Sequence, residues 1–137
     1  MYFSKQMKEV AAAVIMKDKR ILITRRGPDS KLAGYWEFPG GKVEEGETRR
    51  ECLERELYEE LGIQAHAGEE IAESEYHYDH GAFLIIAIEA VFDGDEIILT
   101  DHDDLAWVSP SDLPKYKLAP ADVPLAKSIQ LKYDDEN

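Results

Sequence analysis

Residues Val10-Ala-Ala-Ala-Val-Ile-Met16 are apolar without interruption, and this run constrains the fold more than any other feature. A strand with one wet face alternates apolar and polar residues, so a run that does not alternate reads as a strand buried on both faces. Ile21-Leu-Ile-Thr24 is a second such run, and Lys17-Asp-Lys-Arg20 between them completes a hairpin. A sheet buried on both faces needs a cover on each. Thr48 to Leu61 supplies one. Thr48 followed by Glu51 is a capping box, Gly62 stands where a helix C-cap glycine belongs, and Leu53, Leu57 and Leu61 make one apolar stripe. A second amphipathic helix follows the turn-rich stretch 110–124, with Leu125, Ile129 and Leu131 as inward-facing candidates. Short strands are expected at Tyr35–Phe38 and Leu105–Val108. Longer ones at Glu69–Tyr78 and Ala82–Phe92 are expected to pair across Asp79-His80-Gly81, with a turn at Asp93-Gly94-Asp95. The expected class is α/β (α+β), a mixed sheet sandwiched between helices, as one domain over residues 1–137 with a frayed tail from Tyr133.

Charge narrows the partners. The chain carries 29 Asp and Glu against 16 Lys and Arg, a formal net charge of −13. Nucleic-acid polymers are held by basic patches, and this field repels them. Anionic membrane surfaces are disfavoured for the same reason. No apolar run approaches the roughly 18–20 residues that span a bilayer. The first eight residues hold no apolar core of a secretory signal, and the single cysteine, Cys52, allows no internal disulfide framework. A cytoplasmic protein, monomeric or weakly dimeric, is expected.

The helix over 48–61 carries a second message. Glu56, Glu59 and Glu60 fall on an arc of roughly 100° beside the leucine stripe. Carboxylates at i, i+3 and i+4 repel one another, and they lie in the C-terminal half of the helix, where the dipole disfavours anions. Two readings follow: a solvated acidic face, or ligands for a hard divalent cation. The preceding loop, Gly40-Gly-Lys-Val-Glu-Glu-Gly-Glu47, adds glycines that let backbone approach a ligand, with Lys42 as a cation for a phosphate oxygen.

Loop and helix together read Gly41-x5-Glu47-x7-Arg55-Glu56-Leu57-x-Glu59-Glu60-x-Gly62-Ile63. This resembles the Nudix box at all seven fixed letters and both aliphatic positions. The resemblance implies a Nudix-type α/β/α sandwich that hydrolyses a nucleoside diphosphate linked to a further group, using Mg²⁺ or Mn²⁺. It implies metal binding by Glu56, Glu59 and Glu60 and the Gly40 carbonyl. It gives Glu56 a part in deprotonating the attacking water, with Arg55 orienting Glu56 and Glu47 and Gly62 shaping the loop and helix. Thr24-Arg-Arg26 and Trp36-Glu-Phe-Pro-Gly-Gly41 resemble the MutT-like branch, and Lys117-Leu-Ala-Pro-Ala-Asp-Val-Pro124 resembles its bacterial CTP pyrophosphohydrolases. By that likeness the substrate is a nucleoside triphosphate, cleaved to monophosphate and pyrophosphate.

Further residues follow from the same likeness. Arg26, with Lys42 and Gly41, is placed on phosphate, Arg26 alternatively on the base or simply at the surface. Asp122 stands where MutT has an asparagine. An ionised carboxylate only accepts hydrogen bonds, which favours a base edge with an amino group, as in cytosine; capping the second helix is its other reading. Asp101 occupies the place of a family glutamate six residues before Trp107, as a direct or water-bridged metal ligand, with Asp103 and Asp104 as substitutes or all three as a solvated turn. His102 reads as a polar loop histidine, with a ligand or proton role beside Asp101 as its other reading, His77 and His80 as exposed, and Cys52 as a half-buried packing residue. Tyr35 and Trp36 either stack on a base or pack in the core. A MutT-like hydrolase of oxidised dGTP and a non-catalytic nucleotide-sensing module are the alternatives. Removal of RNA caps is disfavoured by the missing basic surface.

Overall fold

The computed structural model describes residues 7–133, so the start of the N-terminal stretch read for a leader and the tail 134–137 lie outside it. In chain order the elements are β1 (Lys8–Lys17), β2 (Arg20–Arg26), β3 (Trp36–Glu37), β4 (Gly40–Lys42), α1 (Arg49–Leu61), β5 (Ala65–Tyr78), β6 (Gly81–Phe92), β7 (His102–Val108) and α2 (Val123–Tyr133), with 3-10 turns at Pro110–Lys115 and Pro120–Asp122. The strands form a mixed sheet. β1 runs parallel to β6 over eight positions, and its other pairings are antiparallel.

The expected hairpin is present but shallow. Asp18 and Lys19 turn it with φ of 52° and 64°, yet β1 and β2 pair only at Met16–Ile21 and Lys17–Arg20. The rest of that edge of β1 belongs to β4, at Val10–Ala12, and to the Pro39 carbonyl, which accepts the Ala13 N–H at 2.8 Å. β2 leaves β1 to lie between β3 and β7.

Side chains of β1 alternate between two apolar clusters, as a strand buried on both faces requires. Ala11, Ala13 and Ile15 meet Cys52, Leu53, Leu57 and Leu61 of α1. Ala12 and Val14 meet Leu125, Ala126, Ile129 and Tyr133 of α2. β6 repeats the pattern, with Ile86 and Ile88 toward α1 and Ile85 and Ala87 toward α2. Leu131 is a correction: it is 77% exposed. It stands six residues beyond Leu125, about 240° around a helix of 100° per residue, so Ala126 and Tyr133 take the inward places with Leu125 and Ile129; Tyr133, expected to begin a frayed tail, is instead the buried last residue of α2. Both ends of α1 are as read. Thr48 Oγ1 accepts the Glu51 N–H at 3.1 Å, Glu51 Oε1 accepts the Thr48 N–H at 2.8 Å, and Gly62 closes the helix at φ 64°. Among the described residues no helix is long and apolar enough to cross a membrane.

Candidate active site

The glycine-rich loop between β4 and α1 is clamped from below. Cys52, fully buried rather than half-buried, directs its thiol at the carbonyls of Gly41 (3.5 Å) and Lys42 (3.3 Å). Burial pushes that thiol up to about 12, so it serves as a neutral donor. Above it, Arg55 grips Glu47 through two bonds, Nε to Oε2 at 3.1 Å and Nη2 to Oε1 at 2.7 Å. Arg55 and the Glu44 N–H hold the Glu47 carboxyl down at about 2. The far nitrogen of Arg55, Nη1, donates to Glu56 Oε1 at 3.1 Å and reaches Glu59 Oε2 at 3.3 Å. One guanidinium therefore ties the loop to two of the three box carboxylates.

Gly40 and Gly41 are required for different reasons. Gly40 has φ 153°, and a Cβ there would overlap the Ala11 backbone. At Gly41 the Cβ would overlap only the Glu56 carboxyl, the movable end of a side chain. Gly40→Ala is therefore expected to cost several kcal/mol of stability. Gly41→Ala is expected to leave the melting temperature nearly unchanged while lowering kcat by about tenfold or more, because it displaces Glu56. Thermal melts with steady-state kinetics on both variants check the contrast.

Burial raises the Glu56 carboxyl above the ordinary carboxylate range, and Arg55 opposes it. Glu60 is raised further, to about 8, by burial first and then by the charges of Glu56, Glu37 and Asp101, against one hydrogen bond from the Gly40 N–H at 3.2 Å. Glu59 stays exposed. Asp101 reaches this group because the segment before β7 is tied to the end of α1: Thr100 N–H donates to the Glu60 carbonyl and Thr100 Oγ1 to the Glu59 carbonyl. A cavity of about 590 Å³ opens here, lined by Arg26 and Glu37 on one side and by Glu60, Asp101 and His102 on another.

Among the described residues no three acidic, histidine or cysteine side chains already stand as a closed metal-holding group. The donor set still suits a hard divalent ion. Its donors are all oxygens, and Glu60 sits in a field of neighbouring carboxylates that a cation would relieve. Mg²⁺ is commonly held by one or two carboxylates with the rest of its shell from water and substrate phosphates, rather than by an all-protein cage.

Other expected residues are dispersed. Lys42 follows Gly41 in the strand and so points to the opposite face, its Nζ 5.4 Å from the Phe83 ring centroid; it is not gathered with the carboxylates. Arg26 is on the cavity wall, its Nη1 donating to Glu37 Oε1 at 2.9 Å. Asp122 is 8% exposed, and its Oδ2 accepts the Phe38 N–H at 3.1 Å. Burial and the Glu37 charge push it up to about 7, against the Phe38 N–H and Arg26. His102 is no loop histidine: it begins β7, is 8% exposed, and its Nε2 donates to Glu37 Oε2 at 2.8 Å. Trp36 is half-buried, in edge contact with Tyr116 at 5.2 Å. Glu37 escaped notice in the sequence. Its signal was alternation, since Trp36 and Phe38 beside it pack against one core cluster and send the residue between them to the other face.

The NUDIX domain family matches residues 6–129. A CTP pyrophosphohydrolase of Escherichia coli (strain K12) is 43% identical over 127 residues, 90% of this chain and 92% of that protein. A putative 8-oxo-dGTP diphosphatase 2 of Mycobacterium tuberculosis is 36% identical over 82% of this chain and 81% of that one. Among solved structures, the solution structure of the E. coli ORF135 protein superposes with a TM-score of 0.84 at 41% identity, covering 92% of this chain and 90% of that chain.

Proposed function

The chain belongs to the NUDIX domain family, and from that premise we propose that this Nudix hydrolase is a Mg²⁺-dependent nucleoside triphosphate pyrophosphohydrolase that cleaves CTP or dCTP to the monophosphate and pyrophosphate. The observation that carries the reaction class is the Glu56–Glu60 carboxylate pair, held against a glycine loop by Arg55 and the Gly40 N–H. Nudix hydrolases generally use a divalent metal; Glu56, Glu59, Glu60, the Gly40 carbonyl and Asp101 would hold it here. When bound, such an ion neutralises phosphate charge and lowers the pKa of a coordinated water. The protein groups do the rest. Glu56 takes the proton of the attacking water, and Arg55 fixes the carboxylate that receives it. The water oxygen forms the new bond to phosphorus, and the oxygen bridging the α and β phosphorus atoms departs with the bond that breaks. Arg26 meets the phosphates from the cavity wall.

The cytidine preference rests on Asp122 and on likeness over 90% of the chain to the E. coli CTP pyrophosphohydrolase. With Oδ2 occupied by the Phe38 N–H, an ionised Asp122 offers Oδ1 to an amino group such as cytosine N4. A second reading is favoured by one observation. At about 7, a fraction of Asp122 is neutral at physiological pH, and a neutral carboxyl donates as an asparagine amide does, which suits the oxygen of an oxidised guanine. Steady-state kinetics over the eight common nucleotides and oxidised dGTP separate the two. CTP or dCTP is expected to lead in kcat/KM, and Asp122→Asn is expected to shift the balance toward oxidised dGTP by about tenfold, the worth of one base-reading hydrogen bond. A lead of oxidised dGTP over every cytidine nucleotide in the unaltered protein would contradict the assignment.

A further inference from the structure

Three strands meet beside the cavity with β2 in the middle, and each contributes one polar side chain to a single chain of bonds. Arg26 of β2 donates from Nη1 to Glu37 Oε1 of β3, and His102 of β7 donates from Nε2 to Glu37 Oε2. Arg26 is fixed from its other side as well, Nε donating to the Lys31 carbonyl at 2.5 Å. The sheet register places these groups: Thr24 faces Glu37, Arg26 faces His102, and the β2–β7 pairing shifts between Arg25 and Arg26. Such an irregularity re-aims side chains and is common beside active sites.

The His102 side chain is 4% exposed, and its Nδ1 is buried without a hydrogen-bond partner among the described residues. A buried polar atom left unpaired costs free energy. A histidine retained for packing alone would be replaced at lower cost by an apolar residue. What the imidazole supplies instead is one directed bond to Glu37. That bond matters because Glu37 is shared. Its carboxylate has two oxygens and two cationic or donor partners, and it lies near enough to Glu60 and Asp122 to raise both. With His102 holding Oε2, Oε1 stays directed at Arg26. Without it the carboxylate is free to rotate, and the guanidinium is left with its Nε bond to the Lys31 carbonyl alone, so that its Nη1 end is no longer fixed on the cavity wall.

We propose that His102 is a positioning residue: through Glu37 it fixes the Arg26 guanidinium on the cavity wall and so sets nucleotide affinity rather than turnover. The affinity half of this statement rests on the proposed nucleotide hydrolase activity; the positioning half does not. His102→Gln keeps a donor that reaches Glu37, whereas His102→Asn keeps polarity and loses the reach. In nucleotide-free protein, exchange of the Arg26 Nη1–H protons that Glu37 accepts, followed by nitrogen-15 NMR, is expected to quicken about fivefold or more in His102→Asn and to return near the original rate in His102→Gln, as loss and recovery of one net hydrogen bond. With CTP and Mg²⁺, His102→Asn is expected to raise KM about fivefold at nearly constant kcat. On an Arg26→Gln background the same change is expected to move KM less than about twofold, as coupled residues do in a double-mutant cycle.

Unchanged Arg26 exchange in a folded His102→Asn protein overturns the proposal, whatever the nucleotide results. So does a fall in kcat at constant KM, or additivity of the His102 and Arg26 changes. If the unaltered protein turns over no nucleoside triphosphate while Arg26 exchange responds as expected, the functional reading and the affinity claim fail and the positioning role stands.

Discussion

Glu56→Gln is expected to lower kcat on CTP by about 10²–10⁴-fold, the usual contribution of a general acid–base group, with little change in fold. Glutamine keeps the size of the side chain and one oxygen for the Arg55 Nη1–H, so the loop stays clamped through Glu47. It removes the carboxylate that, on the proposed mechanism, receives a proton from water. The structure tunes this group in two directions at once. Burial raises Glu56, which makes it a better base, and Arg55 restrains the rise. Arg55→Lys is expected to be a milder version of the same loss, since an ammonium cannot hold Glu47 through two bonds and reach Glu56 together. Stopped assays of pyrophosphate release, beside equilibrium CTP binding, measure both. Turnover of Glu56→Gln within twofold of the unaltered protein would remove Glu56 from the proton step.

The second large effect is on stability in the absence of metal. Glu60 titrates near 8 in the folded chain against an ordinary value of 4.5. A carboxyl raised on folding destabilises the folded state once it must ionise. The cost is absent below pH 4.5, grows as pH rises, and is complete above pH 8. With EDTA present, Glu60→Gln is expected to be more stable than the unaltered protein at pH 8 by on the order of 4 kcal/mol, and close to it at pH 4.5. Asp122, raised from 3.8 to about 7, adds its own loss over a lower window, which the comparison of variants cancels. Added Mg²⁺ is expected to reverse the order at pH 8, because only the native carboxylate gains from the cation. Urea titrations at the two pH values, with and without metal, read all four states. An equal difference between the proteins at both pH values would show that Glu60 is not strained by its ionisation.

How far the sequence alone reaches depends on the range of the interaction. Signals within one element were legible. The unbroken apolar run at 10–16 showed a strand buried on both faces, Thr48, Glu51 and Gly62 marked both ends of α1, and the spacing of Glu56, Glu59 and Glu60 showed three carboxylates on one arc. Leu131 differs within an element: its apolar character suits the core, but the 100° step per residue turns it to solvent. Pairings between distant segments were not legible. The depth of the β1–β2 hairpin depends on β4 and Pro39 claiming the same edge of β1. The contact of His102 with Glu37 spans 65 residues and exists only because β2 lies between β3 and β7. Lys42 looked like a phosphate ligand from its place after two glycines, but strand alternation turns it from the face that holds Glu56. The buried place of Asp122 likewise includes a bond from the Phe38 N–H, 84 residues away, which no local pattern announces.

Direct analysis of the products tests the central claim. CTP is incubated with the protein and Mg²⁺, and nucleotides and phosphates are separated as the reaction proceeds. CMP and pyrophosphate are expected in equal amounts, and neither when EDTA replaces Mg²⁺. Release of CDP and orthophosphate, or turnover that persists without metal, would contradict it.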